Sequence, residues 1–374
     1  MPTKPLKPIQ SKPGAPLYVS GKDAMLEALR TGHYKPGDRL PSTKSLSEQL
    51  AVSLVTTHRA MQELEVSGVV DRVQGRGTFI KDRQDPTGRR TRLALILQAQ
   101  ASLADFYHGQ LLEGMHRASR EENADLLILQ YEQKLQADCQ GYLLVNPLPE
   151  AIDQFKTDHP RDTSLLLVGA QHPATPSVDV DNTDLIHQAV KHVHRLGHQR
   201  IAYLGGASEL SNSRDRQSGF LGVCRELGIP ADQCQQLDAE SWRLSDKEKM
   251  SLSQLLASPQ RPTAVIAGGY YLSLDVYNAA NTLGLSIPRE LTVVGVDDPP
   301  SATHLYPPLT TFRQPLVELG YAAISRIVQM IHAGSVDQAS QKLKADLIIR
   351  ESSGAPAPES TYGSTSGSLN SASD

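Results

Sequence analysis

The apolar positions of the chain follow one pattern up to about residue 81 and another from Leu93 onwards. In residues 17–81, three short amphipathic segments precede two apolar runs that flank glycines. From Leu93, runs of four or five apolar residues alternate with amphipathic stretches of about 10 to 15 residues. Such alternation is typical of right-handed βαβ units on a parallel sheet. The pattern therefore predicts an α/β protein with a small N-terminal domain and a larger C-terminal one.

Composition places the boundaries between these parts. Residues 1–16 hold five prolines and predict a flexible leader. The small domain is expected in 17–82, and the polar, charged segment 83–91 has the composition of a linker. Residues 92–352 are long enough for two doubly wound sheets of parallel strands. Residues 353–374, rich in Ser, Gly, Pro and Ala, predict a disordered tail.

Three amphipathic segments predict three helices in the small domain. The first lies in Lys22–Arg30, the second has the capping-box spacing Ser45-x-x-Glu48 with Ser42 as another candidate cap, and the third begins at Ser53. Four apolar residues are expected to form the buried face of the third helix: Val55, Ala60, Met61 and Leu64.

A hairpin is predicted after the third helix, because Val69-Val70 and Thr78–Ile80 flank a Gln-Gly-Arg-Gly turn. Three helices and a hairpin in about 65 residues outline a winged helix-turn-helix, whose third helix would enter the major groove of DNA. A small helical module that binds protein is the alternative. The residues expected to face DNA are Ser53, Thr56, Thr57, His58, Arg72, Arg76 and Gly77.

The charge is divided unevenly along the chain. The formal net charge of the 374 residues is -4. Residues 1–92 contain 16 Lys and Arg against 9 Asp and Glu, a net of +7, and residues 93–374 contain 21 against 32, a net of -11. A basic head on an acidic body favours DNA as the partner of the small domain.

Over residues 32–80 the small domain resembles the GntR-type winged helix. The motifs that carry the resemblance are PGDRLPS, the AVSLVTT start of the third helix and the GRGTFI wing. Lys44 and Leu54 stand where the family usually has Arg, a side chain that reads bases differently. The resemblance implies binding to a double-stranded DNA operator, with Lys44 among the contacts and an operator unlike the common family consensus.

Over roughly residues 92–352 the large domain resembles the LacI-type effector domain, related to periplasmic sugar-binding proteins. The motifs are VDVDNTDLIHQAVKHVHRLGHQRIAYLGG, RQSGF and LTVVGVDDPPSATHLYPPLTTFRQP. A GntR-type head on a LacI-type body looks like the arabinose-repressor architecture of bacteria. The resemblance implies a two-lobed periplasmic-binding-protein-like fold, a sugar-like effector between the lobes, and a homodimer.

Carried over residue by residue, the resemblance implies seven ligand-binding residues. Arg216 would fork onto ligand hydroxyls, Asp297 would accept hydrogen bonds from paired hydroxyls, and Trp242 would stack on a flat face. Each also has a structural interpretation, as a helix-end arginine, a capping carboxylate and a packed aromatic. The seven residues are Phe106, Tyr107, Asn146, Arg216, Trp242, Asp297 and Gln314.

The chain departs from the family where Gly268-Gly269 replaces a common Asn-Asp pair. Tyr270 and Tyr271 follow, and we expect them to pack rather than to contact the ligand. The replacement removes a hydroxyl-binding amide, which predicts a ligand that is larger, more aromatic or stacked differently.

Motifs for catalysis or metal binding are missing from the sequence. There is no GxSxG, GxxxxGK[ST] or HExxH motif, and the histidines of residues 187–198 match no zinc spacing. We therefore expect no metal, no cofactor and no catalytic residue. A small-molecule sensor that does not bind DNA remains an alternative, as does an enzyme in which Asp297 and Asp298 act as acid and base.

The expected location is the cytoplasm. The chain has no run of 18 apolar residues, and its proline-rich start lacks the apolar core of a signal peptide. Cys139, Cys224 and Cys234 form no CxxC pair, and their odd number favours reduced thiols.

Overall fold

The computed structural model divides into two compact units at Thr91 and Arg92, with Asn123–Asp125 grouped with the first. The predicted leader, linker residues 83–89 and Arg76 lie outside the described residues, as do residues 359–374. The described ranges are 17–30, 33–34, 37–66, 69–73, 77–80, 90–98, 101–130, 139–159, 163–333 and 339–358.

The first unit contains the predicted three helices and hairpin. The helices are α1 (Leu17–Arg30), α2 (Thr43–Leu50) and α3 (Leu54–Val66), and the strands are β1 (Val70–Val73) and β2 (Gly77–Ile80). The two strands pair antiparallel. Helix α1 begins earlier than the predicted start at residue 22.

Each element of the first unit contributes an apolar side chain to a common core. Met25 of α1, Leu46 of α2, Leu64 of α3 and Ile80 of β2 are all buried. Of the two candidate caps of α2, Ser42 is the one used, because its hydroxyl accepts a hydrogen bond from the backbone N–H of residue 45 at 3.2 Å.

The buried face of α3 differs from the prediction at two positions. Val55 was expected inside but leaves 79% of its surface exposed. Thr57 was expected to face DNA but is only 2% exposed. The observed buried face runs through Thr57, Ala60, Met61 and Leu64, the i, i+3, i+4, i+7 spacing of one helical face. Val55 lies five residues before Ala60, which turns it well away from that face.

The second unit contains two six-stranded sheets. Its strands and helices, in chain order, are β3 (Thr91–Leu97), α4 (Phe106–Glu121), β4 (Ala124–Gln130), β5 (Gly141–Val145), α5 (Pro149–Asp158), β6 (Ser164–Val168), β7 (Ser177–Val180), α6 (Asn182–Arg195), β8 (Ile201–Gly205), α7 (Ser211–Glu226), β9 (Cys234–Asp238), α8 (Asp246–Ala257), β10 (Ala264–Ala267), α9 (Tyr270–Thr282), β11 (Thr292–Val296), β12 (Thr310–Arg313), α10 (Leu316–Ala333), β13 (Gln341–Leu343) and β14 (Asp346–Ile348).

The two sheets define two lobes. The first lobe has the strand order β13-β7-β6-β5-β3-β4, and the second has β14-β12-β11-β10-β8-β9. The central strand pairs are parallel, whereas β14 runs antiparallel to β12 at one edge. The chain crosses between the lobes three times, after β7, after β12 and after β13. The predicted fold class, a winged helix followed by two doubly wound lobes, is confirmed.

Helices α4 and α10 of the first lobe touch through their backbones at two glycines. A Cβ atom on Gly114 would lie 1.8 Å from the carbonyl oxygen of Val317, and one on Gly320 would lie 2.0 Å from that of Leu111. No larger residue fits at either position without separating the helices. Among the described helices, none combines the length and apolar character needed to cross a bilayer.

The C-terminal segment is ordered beyond the predicted start of the tail at residue 353. Ser353 Oγ lies 3.0 Å from His192 Nε2, and Gly354 donates its N–H to Thr292 Oγ1 at 3.0 Å. The carbonyl oxygen of Gly354 also lies 2.8 Å from Nε2 of the buried His198. The prediction of disorder is therefore wrong for Ser353 and Gly354, which polar side chains of the second lobe hold in place.

Candidate ligand cleft and DNA-facing helix

A cavity of about 280 Å³ lies between the two lobes of the second unit. It is lined by residues that follow the carboxyl ends of the parallel strands, the usual ligand position in open α/β sheets. The structure brings all seven predicted ligand residues together in this cavity. The lining also contains Asp105, His108, Asn212, Gly269, Tyr270, Tyr271, Pro299 and Ser301.

Arg216 of α7 is fixed in place from two sides. Its Nε donates to Asn182 Oδ1 at 2.7 Å, and its Nη1 donates to the carbonyl oxygen of Gly268 at 2.5 Å. The guanidinium lies over the indole of Trp242, 5.6 Å from the ring centroid. The side chain is only 4% exposed, which rules out the surface interpretation. Arg216 therefore presents an oriented cation to the cavity.

Asp297 follows β11 and turns its carboxylate into the cavity. Its backbone is in the left-handed region, with φ of 72°, which Asp tolerates better than most residues. Gln314 donates to the carboxylate, and Thr311 donates to the backbone carbonyl of Asp297 at 2.7 Å. Burial raises the pKa of the Asp297 carboxyl above its ordinary value, while the Arg216 guanidinium opposes the rise.

Asn146 follows β5 and also lines the cavity from a left-handed backbone conformation, with φ of 45°. Its Oδ1 accepts hydrogen bonds from Asn212 Nδ2 at 3.4 Å and from the Tyr107 hydroxyl at 3.5 Å. Gly169, at the end of β6, makes this cluster possible, because a Cβ there would lie 2.4 Å from Asn146 Oδ1. Asn212 and Gly169 were not predicted.

The aromatic wall of the cleft depends on glycines opposite Trp242. A Cβ on Gly206 would lie 2.5 Å from the indole, and one on Gly269 would lie 3.2 Å from it. Of the Gly268-Gly269 pair, Gly269 therefore helps to provide the space for Trp242, whereas a Cβ on Gly268 would lie 2.8 Å from the Tyr203 hydroxyl. Tyr270 packs against the core of the second lobe, as expected, and both Tyr270 and Tyr271 also line the cavity, since they begin α9 at the carboxyl end of β10.

Polar contacts link the two lobes beside the cavity. The backbone N–H of Gln171 donates to Ser211 Oγ at 2.9 Å, and its side-chain amide donates to Asp215 at 3.1 Å and to Asp179 at 3.3 Å. Burial raises the pKa of Asp179 to about 6, and hydrogen bonds from Gln171 and Val180 oppose the rise.

His198 is buried and bonded to neighbouring residues, so its role is structural. Its ring nitrogens lie 2.8 Å from Thr263 Oγ1 and from the carbonyl oxygen of Gly354, and burial lowers its pKa. Within the part of the chain that the structure describes, no group of three His, Cys, Asp or Glu side chains is placed to hold a metal ion.

In the first unit, the hydroxyls at the start of α3 are bonded locally. Ser53 Oγ accepts the N–H of Thr56 at 3.1 Å and lies 2.8 Å from its hydroxyl. Thr57 Oγ1 donates to the carbonyl oxygen of Ser53 at 3.2 Å. Because this hydroxyl is also buried, we no longer expect Thr57 to reach DNA.

Lys44, His58 and Arg72 are exposed, as DNA contacts require. Gly77 has φ of 117°, and a Cβ there would lie 2.7 Å from Nε of Arg39. Arg39 is itself exposed, and its backbone forms an isolated antiparallel β-bridge with Phe79 of the wing. It was not predicted, although it stands in the PGDRLPS motif.

Comparison with known proteins assigns the two parts separately. Residues 17–80 match the family of bacterial regulatory proteins of gntR type, and residues 190–353 match the periplasmic binding protein-like domain. The chain therefore contains a segment similar to the gntR-type regulators, followed by a segment similar to periplasmic binding protein-like domains.

Individual proteins that resemble this chain are transcriptional repressors. The chain is 25% identical over 358 residues to the arabinose metabolism transcriptional repressor of Geobacillus stearothermophilus, covering 90% of this chain and 97% of that one. It is 31% identical over 177 residues to the transcriptional repressor CytR of Escherichia coli K12, which is 47% of this chain and about half, 51%, of CytR. Its fold matches the lac repressor dimer bound to operator and the anti-inducer ONPF, with a TM-score of 0.61 at 20% identity over 71% of this chain and 95% of that one.

Proposed function

We propose that this protein is a cytoplasmic, homodimeric transcription repressor whose operator affinity is controlled by a small ligand in the cleft. The observation that carries the proposal is Arg216, a buried arginine held by two hydrogen bonds so that its guanidinium faces a cavity between two lobes. A basic winged helix precedes this cavity in the chain.

The cleft favours a ligand with several hydroxyl groups and one flat face, such as a sugar or a related metabolite. Asp297 and Asn146 offer oxygen acceptors, while Arg216 and Gln314 offer N–H donors. Among the described residues, the buried Oδ1 of Asn212 has no hydrogen-bond partner and is a further acceptor. The indole of Trp242 offers the stacking surface.

The switch would act through closure of the lobes. Gln171 of the first lobe touches Ser211 and Asp215 of the second, so a ligand that bonds both lobes stabilises one closure angle. In a dimer, a change of closure alters the spacing of the two winged helices, and the operator half-sites no longer match.

The test is operator binding by the full chain as a function of ligand. A thermal-shift screen of sugars and related metabolites identifies a compound that binds, because binding to the folded state raises the melting temperature. Fluorescence anisotropy with labelled DNA from upstream of the gene then measures operator affinity with and without that compound. We expect a tight, salt-sensitive complex that the ligand weakens at least fivefold.

Two results would contradict the proposal. Absence of any DNA complex would leave a ligand sensor without a regulatory head. A DNA complex that no bound compound changes would remove the switch. Sedimentation of the free protein and of the complex tests the homodimer, since a monomer on a two-fold operator is not expected.

A further inference from the structure

The first turn of α3 presents apolar side chains to solvent. Leu54 is 54% exposed and Val55 is 79% exposed, the highest value for any Val, Leu or Ile among the described residues. The two residues are adjacent, so together they form a small apolar patch at the start of the helix. A partner with an apolar group of its own would remove this patch from water.

The polar groups around this pair are already bonded within the domain. Ser53 and Thr56 bond each other, and Thr57 bonds the backbone. The guanidinium of Arg59 lies 4.2 Å from the centroid of the Tyr18 ring in α1. Apart from Ser53 and Arg59, whose polar groups already have these contacts, the exposed residues at the start of the helix are Leu54, Val55 and His58.

Double-stranded DNA is the partner that the charge of the region selects. Residues 1–92 carry a net of +7, and the first residues of a recognition helix in this fold lie against base edges in the major groove. There, thymine is the base with an apolar group, its C5-methyl. A hydroxyl, amide or guanidinium at these positions would read hydrogen-bonding edges instead.

Resting on the proposed function, we infer that Leu54 and Val55 determine operator specificity by packing against thymine methyl groups. Val55 follows Leu54 by one residue, which moves its side chain about 1.5 Å along the helix axis and about 100° around it, so the two side chains reach separate, neighbouring points. Each half-site of the operator then contains neighbouring T·A or A·T pairs at the centre of the contact with α3.

The experiment removes single methyl groups from the DNA. The preferred operator of the full chain is first selected from random duplexes, and each thymine is then replaced in turn by deoxyuridine. We expect two neighbouring positions per half-site at which this replacement weakens binding roughly fourfold, the effect of one buried methyl. Other thymines show no change.

Variants assign the methyl groups to side chains. Leu54→Ala and Val55→Ala each abolish the difference between thymine and uracil at one of the two positions, while the salt dependence of binding stays the same. Leu54→Arg moves the selected base at its position to guanine. Leu221→Ala, at a 41% exposed leucine of the second unit, is the control and changes neither. All three side chains are exposed, so we expect the variants to fold, and their melting temperatures test this.

The outcomes separate the inference from the proposed function. Specific binding that is indifferent to every uracil replacement overturns the inference and leaves the repressor intact. The same holds if the alanine variants keep full discrimination at both positions. If selection finds no preferred DNA, the proposed function fails and the inference fails with it.

Discussion

Arg216 illustrates how one side chain can be oriented before its ligand arrives. Two of its nitrogens bond Asn182 and the Gly268 carbonyl, and an indole covers one face. The remaining N–H groups keep a fixed direction, which lowers the entropy cost of ligand binding. A flexible ammonium group at the same place could not keep this geometry.

We therefore predict that Arg216→Lys weakens ligand binding by about 10- to 100-fold. The variant keeps the charge but loses the fork of donors, worth roughly 1.5–3 kcal/mol. Titration calorimetry with the ligand measures the loss, and operator affinity without ligand should stay unchanged. Arg214→Lys, at an exposed arginine of the same helix, is the matched control. Equal losses in both variants would contradict a specific role for Arg216.

Asp179 gives a pH-dependent contribution to stability. Burial raises its pKa to about 6 from 3.8, so the folded protein binds this proton more tightly than the unfolded chain. The contribution is fully present below about pH 4 and is lost as pH rises through about 6. Relative to wild type, Asp179→Asn should gain roughly 1–3 kcal/mol in free energy of unfolding between pH 4 and pH 7.

Urea denaturation at several pH values measures this difference. Asp246→Asn, at a fully exposed carboxylate, is the control and should follow the wild type at each pH. If the free energy of unfolding of Asp179→Asn falls relative to that of wild type as the pH rises from 4 to 7, the result contradicts a raised pKa for Asp179.

At single positions, the sequence predicted which residues belong to the cleft better than it predicted which way a side chain points. Five of the seven ligand residues follow strands that the apolar pattern located. Trp242 and Gln314 follow β9 and β12, which the pattern missed, and only the family resemblance predicted these two. The direction of Val55 was wrong because an apolar residue near a helix start was assigned to the core without counting 100° per residue. Gly169 and Asn212 were missed because their roles depend on contacts between distant strands.

At the scale of elements, the central strands and most helices were predictable because buried parallel strands are continuous apolar runs. The missed strands are short and lie at or near the sheet edges. Strand β9 reads Cys-Gln-Gln-Leu-Asp and is only partly buried, so no apolar run marks it. This strand matters for the cleft because Trp242 follows its carboxyl end.

The chain has a single tryptophan, so its fluorescence reports on the cleft. Gly206→Ala places a methyl group where the indole lies, 2.5 Å from the ring. We expect a shifted emission maximum and a ligand affinity reduced at least tenfold. Gly222→Ala, whose Cβ has open space in α7, is the control. It should leave emission unchanged and add up to about 1 kcal/mol to helix stability. Unchanged emission in Gly206→Ala would show that the indole is not held there.

The contact of α4 with α10 predicts a second pair of variants. Gly114→Ala forces the helices apart, because its Cβ would meet the Val317 carbonyl, and should cost about 2–3 kcal/mol of unfolding free energy. Gly109→Ala on the same helix has its Cβ at 3.9 Å from the nearest atom and should be neutral or stabilising. Thermal melts compare the two. Equal stability would mean that the helices separate at no cost.

At the scale of the whole molecule, the charge is divided between a basic first unit and an acidic second unit. This division predicts that the salt dependence of operator binding comes from the first unit. Arg72 is exposed on β1, and Arg72→Ala should lower the slope of log affinity against log salt by about one. Arg289→Ala, at an exposed arginine of the second unit, should leave the slope unchanged. Anisotropy titrations at several salt concentrations measure both. An unchanged slope in Arg72→Ala would show that this side chain makes no phosphate contact.

The three crossings between the lobes have a consequence for synthesis on the ribosome. The first lobe takes α10 and β13 from residues 316–343, after nearly all of the second lobe has been made. Until then, α4 lacks the helix that packs on it and β7 lacks its neighbour at the sheet edge. The winged helix, encoded in one continuous segment, can fold early, but the first lobe must wait for the end of translation. The nascent chain therefore has a DNA-binding head before it has a cleft.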